Sequence, residues 1–130
     1  MSALRTFLRY LWVAPASVVG IVCALFAAAL GARWALVNGV LEVAGGALTA
    51  LKPRIPFRAI TLGHVIIGVE HEALAYCRKH EHVHVRQYER WGVFFFVLYL
   101  GSSLIALLSG RHPYWDNHFE REAYGRDDQP

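Results

Sequence analysis

Two histidines four residues apart, with a glutamate beside the first, lie in the run His80-Glu81-His82-Val83-His84. On a helix, positions i and i+4 share a face. His80 and His84 would then offer two imidazole nitrogens to one metal ion. Glu81 would lie close enough to take a proton from a water on that ion. Zinc suits this donor set and lowers the pKa of a bound water to about 7, so that hydroxide is available near neutral pH. Composition alone yields the pattern in roughly two of a hundred shuffled sequences, so the spacing becomes a site only with a further ligand.

A catalytic zinc usually has three protein ligands and one open position. Downstream, residues 117–124 read NHFEREAY. A helix there turns Glu120 and Glu122 about 200° apart, so only one of them can face the metal. His112 and His118 are further options. Cys77 shares the face of His80 and His84 within an arc of roughly 60°. Two readings without this site use the same residues. A strand over 80–84 would align His80, His82 and His84 by alternation, and a solvated helix would simply be rich in histidine. The flanks favour a helix, because 71–91 has no Gly or Pro and is rich in Ala, Leu, Glu, Arg and Lys.

The elements that must position these residues begin with an apolar run. Residues 11–32 carry no charge, and about 20 apolar residues suffice to cross a bilayer. Arg5 and Arg9 precede the run, Arg33 closes it, and Tyr10, Trp12 and Trp34 sit where interfacial aromatics would sit. A signal peptide cleaved near Ala27-Ala28-Ala29 is the rival, but its apolar region usually spans only about 7–15 residues. Two short β-prone runs then flank Asn38-Gly39, a strong signal for a hairpin with a type I′ turn. Residues 52–58, KPRIPFR, read as a surface loop near lipid head groups, and 59–69 as one or two more strands broken by Gly63 and Gly68. Gly92 marks a break after the motif helix. Residues 93–109 form a second apolar run, about 25 Å long if helical and marginal for a span. Asp116 or Asn117 could cap a last short helix. The tail DDQP reads as disordered.

With 130 residues the chain suggests one domain. It is 55% hydrophobic and 18% charged, more apolar than an average soluble domain. A formal charge of +3 fits contact with anionic lipid. No Lys/Arg run with interleaved aromatics is present, which sets nucleic acid aside. Two cysteines, Cys23 and Cys77, make no disulfide framework. His64 reads as a core or edge histidine, and Tyr88, one turn beyond His84, as a packing residue or an oxyanion donor.

These residues resemble the gluzincin group of zinc metallopeptidases, in which a helical His-Glu-x-x-His pairs with a downstream glutamate on a second helix. The chain looks most like the small, minimal members and their membrane-bound relatives. The resemblance covers about 34–125 and implies His80, His84 and Glu120 as ligands to Zn2+, with Glu81 as general base. It implies peptide-bond hydrolysis, with a sheet edge in 59–69 binding extended peptide or protein substrate. Tyr124 stands where the family has an aspartate supporting a ligand histidine, and Arg78 and Arg86 where it usually has uncharged residues. The expected fold is α+β: a transmembrane helix, a short β-sheet, the motif helix, an apolar helix over 93–109 and a short glutamate helix. Residues 1–33 would be the anchor, 34–125 a minimal zincin-like domain and 126–130 a tail. The expected location is a membrane, the cell inner membrane, crossed once or twice.

One conflict follows. If 93–109 crosses the bilayer, His84 and Glu120 end on opposite sides and cannot share a metal. A common site requires the run to pack back against the sheet and the motif helix. The rival is a non-catalytic two-span membrane protein with structural or metal-binding histidines. A third reading is metal handling through the His/Cys cluster.

Overall fold

The computed structural model describes residues 2–51, 53–54 and 58–127, with the side chains of residues 126 and 127 left aside. The tail 128–130 and most of the 52–58 loop lie outside the described residues. Helix α1 (Ala3–Ala29) is capped by Ser2, whose hydroxyl accepts from the Arg5 N–H at 3.1 Å. That cap starts the helix before the uncharged run. Strands β1 (Arg33–Val37) and β2 (Val40–Ala44) form the hairpin predicted at Asn38-Gly39, both with positive φ (52° and 78°). A 3-10 segment (Gly46–Leu51) leads toward β3 (Ala59–Leu62) and β4 (Val65–Gly68). Helix α2 (His71–Trp91) carries the motif, and α3 (Phe95–Leu108) and α4 (His118–Asp127) complete the chain.

The sheet order is β1-β2-β4-β3, antiparallel except for the parallel pair β2–β4. Alternation along β2 and β4 explains its two packed faces. Val43 and Val65 pack with Ala24 and Ala27 of α1, whereas Val40, Ala44 and Ile66 pack with Leu74 and Val85 of α2. The sheet is thus a layer between two helices. Helix α1 approaches closely because its inner residues are small. A Cβ on Gly20 would lie 2.7 Å from the Val65 Cβ and 2.8 Å from the Leu62 carbonyl oxygen.

Gly92 (φ 57°, ψ −131°) ends α2 with a sharp turn, and α3 folds back. Phe95 then meets Tyr88 at 4.5 Å between ring centroids, and Tyr99 reaches His84 at 6.3 Å. A straight helix would carry residue 99 more than about 20 Å from residue 84. This is the closure that a shared metal site requires, although α3 packs mainly on α2 and α4 and not, as expected, on the sheet. The packing is one-sided, however. Only Phe95 and Ala106 of α3 are buried, while Phe96, Val97, Leu100, Leu104, Ile105 and Leu108 are exposed. Helix α1 likewise exposes Leu4, Phe7, Leu11, Val18, Leu25 and Phe26. By length and composition Ala3–Ala29 and His71–Leu108 each hold an apolar stretch of membrane-spanning size, the second interrupted by the turn at Gly92, and the outer apolar faces of α1 and α3 support a membrane location.

Candidate metal centre

The spacing of α2 places His80 and His84 on its buried face, with their Nε2 atoms 3.2 Å apart. Glu120 arrives from the first turn of α4. Asn117 sets that turn by accepting from the N–H groups of Phe119 (2.8 Å) and Glu120 (3.3 Å). Its amide also donates to the Tyr99 carbonyl and to Ser103 Oγ, which docks α4 on α3. Glu120 Oε1 then lies 3.0 Å from His80 Nε2 and 3.1 Å from His84 Nε2. Its other oxygen accepts from the Tyr99 hydroxyl. All three ligand candidates are buried.

The hydrogen-bond network assigns the His84 tautomer. Gln87 Nε2 lies 3.0 Å from the Phe119 carbonyl oxygen and 2.8 Å from Glu122 Oε1, both acceptors. Its amide oxygen therefore faces His84 Nδ1 at 2.8 Å and accepts the ring N–H. Nε2, the nitrogen that faces His80 and Glu120, is then the one the neutral ring would offer to a metal. Burial pushes the Glu120 carboxyl up, but hydrogen bonds from His80 and His84 hold it down, to about 2. It is an anion at neutral pH. Burial favours the neutral His84 ring, but the Glu120 carboxylate raises the ring's pKa above its ordinary value, so ring protons bridge the cluster when no cation does, and a cation held by the three atoms would displace them. Tetrahedral zinc with bonds of 2.0–2.1 Å separates its ligands by roughly 3.3 Å, close to the observed spacing, so the residues fit this metal. Zinc would be held by these three atoms.

The buried His-Glu-x-x-His and its distal glutamate make a gluzincin-type triad. No family model, curated protein or solved structure matches the chain, so the likeness rests on this geometry.

Glu81 lies next to the triad. It is buried beside His80, and its Oε1 accepts from Thr61 Oγ1 at 2.9 Å. Thr61 is on β3, the edge strand. Val69 N–H donates to the Arg58 carbonyl at 3.0 Å. Antiparallel alternation then turns the N–H and C=O groups of Ala59 and Thr61 outward. The Thr61 carbonyl accepts from the Tyr88 hydroxyl at 3.2 Å, so Tyr88 braces the strand. Residues 59–62 also line a cavity of about 290 Å³ that contains His80, Glu81, His84 and Glu120.

The remaining candidates lie elsewhere. Glu122 accepts from Gln87 and pairs with Arg90 at 3.8 Å. His82 and Arg78 both bond the buried Glu42 of β2, which explains the cation at position 78. Arg86 is exposed. His112, His118 and Cys77 are not in the triad's ligand group. Tyr124 packs its ring on His80 at 4.2 Å, but its hydroxyl bonds that of Tyr114 at 2.8 Å. It does not replace the family's supporting aspartate. Nδ1 of His80 is buried without a hydrogen-bond partner. His64 is structural, bonded to Glu89 at 2.8 Å and stacked on Tyr10. Sequence reasoning missed Gln87, Tyr99 and Thr61. Gln87 alone left a local signal, a polar residue one turn after His84.

Proposed function

We propose that the protein is a membrane-associated zinc metallopeptidase in which His80, His84 and Glu120 are the ligands and Glu81 is the general base. One observation carries the reading: three buried donor atoms converge beside a carboxylate, under an open strand edge. Zinc bound there supplies Lewis acidity toward a carbonyl oxygen and lowers the pKa of the attacking water. An extended peptide pairs with the outward groups of Ala59 and the free N–H of Thr61, as an added strand. Glu81, oriented by Thr61, takes the proton of the attacking water and delivers it to the leaving amine. Gln87 and Tyr99 fix His84 and Glu120 so that neither ligand must reorganise.

Residues 34–125 form the catalytic unit and 1–33 the anchor. The outer faces of α1 and α3 contact lipid, with the inner membrane of the cell as the location. The test is peptidase activity of zinc-loaded protein beside Glu81→Gln. The substitution is expected to leave zinc in place and remove activity. Zinc-dependent hydrolysis that survives it overturns the assignment.

A further inference from the structure

The triad lies between two cavities, both largely apolar, whose walls differ in the polar side chains they add. The first, of about 290 Å³, is walled by Ile60, Leu62, Phe95, Phe96 and Leu100. Phe96 and Leu100 also belong to the exposed apolar face of α3, so this cavity opens toward lipid. The second, of about 490 Å³, has Arg58, Tyr76, His112, Trp115 and Tyr124 in its wall. Ala59, His80, Glu81 and Tyr114 line both. A chain laid along β3 past the triad therefore places neighbouring residues in different surroundings.

The second cavity adds two cation-capable side chains, Arg58 and His112, to a largely apolar wall. Arg58 is exposed, and its guanidinium lies 5.9 Å from the centroid of the Tyr76 ring, another wall residue. His112 sits in a built turn: its N–H donates to Asp116 Oδ2 at 2.8 Å. Its Nδ1 accepts from the N–H groups of Tyr114 and Trp115, each at 3.1 Å. That Nδ1 is therefore unprotonated, and Nε2–H is the donor this ring offers. Among the described residues, the one carboxylate in this wall is Glu81, at the triad end.

We propose that the second cavity is a carboxylate-binding subsite, with Arg58 and His112 as its donors and the first cavity taking an apolar side chain. The substrate class is then a peptide with an apolar residue on one side of the scissile bond. On the other side it carries a carboxylate, from an acidic side chain or from the chain terminus. This rests on the peptidase reading, but binding tests it without turnover. A charge-assisted hydrogen bond to a carboxylate is stronger than a neutral one and shows as an affinity difference.

The experiment is calorimetric titration of the detergent-purified, full-length protein with capped dipeptides. One arm pairs phenylalanine with glutamate or glutamine in either order, and the other compares acetyl-phenylalanyl-alanine as free acid and as amide. The carboxylate form is expected to bind about tenfold or more tightly than its neutral partner in at least one arm. The arm that responds identifies the source of the carboxylate. Arg58→Gln and His112→Gln are expected to reduce that ratio toward one with zinc content unchanged, which shows the variants folded. Equal affinities in both arms, or a preference that persists in both variants, overturns the proposal. Stoichiometric zinc and carboxylate-selective binding with no hydrolysis of any peptide would leave the subsite standing and sink the peptidase reading.

Discussion

Helix α2 carries two buried histidine–glutamate clusters on different faces, and they are built oppositely. On the sheet side, Glu42 of β2 receives Arg78 Nη2 at 2.8 Å and Nε at 3.0 Å, with His82 at 3.1 Å. On the far side, Glu120 meets His80 and His84 at similar distances, with no arginine or lysine among its contacts with the described residues. The first carboxylate is neutralised by a guanidinium within the chain. The second has only imidazoles beside it, one of them already committed through its other nitrogen to Gln87, and a metal ion can displace the protons they share with Glu120. A satisfied cluster stabilises a fold, whereas one short of positive charge binds a cation. Counting donors against acceptors separates the two, although both read as His and Glu in sequence.

The contrast can be broken from either side. The largest effect is expected at the triad: His84→Ala should abolish peptidase activity along with bound zinc, read by hydrolysis and metal content together. Next, Glu81→Gln should keep zinc and lower kcat by about 10²–10⁴-fold, the range for a positioned general base. Gln87→Leu removes the acceptor that fixes His84 and is expected to weaken zinc about 10–100-fold, measured by chelator competition. On the sheet side, Glu42→Gln should leave zinc binding unchanged and cost about 1–3 kcal/mol in unfolding free energy, because Arg78 and His82 lose their charged partner.

The same pair has a defined pH signature. Burial pushes the Glu42 carboxyl up, but Arg78 and His82 hold it below its ordinary value of 4.5. Its stabilisation is therefore full above that value and disappears as pH falls through the lowered folded-state pKa. Wild type should show this acid-side loss in denaturant titrations, and Glu42→Gln should lack that component.

Much of the fold was legible because it is local. Asn38-Gly39 requires two positive φ angles, and the hairpin is there. The Gly- and Pro-free run became α2 over His71–Trp91, and Gly92 ended it. The fold-back of α3 followed from a shared site for His84 and Glu120, although its outer face was not expected to be open. What stayed hidden depends on distant partners. The parallel pairing of β2 with β4 spans a connection that carries no register signal of its own. Thr61 acquires meaning only once β3 lies against α2, and Tyr99 only once α3 folds back. The stripe Gly20, Ala24 and Ala27 looked like any apolar run, yet those small residues let α1 lie on the sheet.

The most direct measurement is metal per chain, by elemental analysis of detergent-purified protein prepared without chelators, beside Glu120→Ala and Glu42→Gln. One zinc per chain in wild type and in Glu42→Gln, lost in Glu120→Ala, is the expected result. Wild type without zinc, or zinc retained in Glu120→Ala, would contradict the triad as a metal centre.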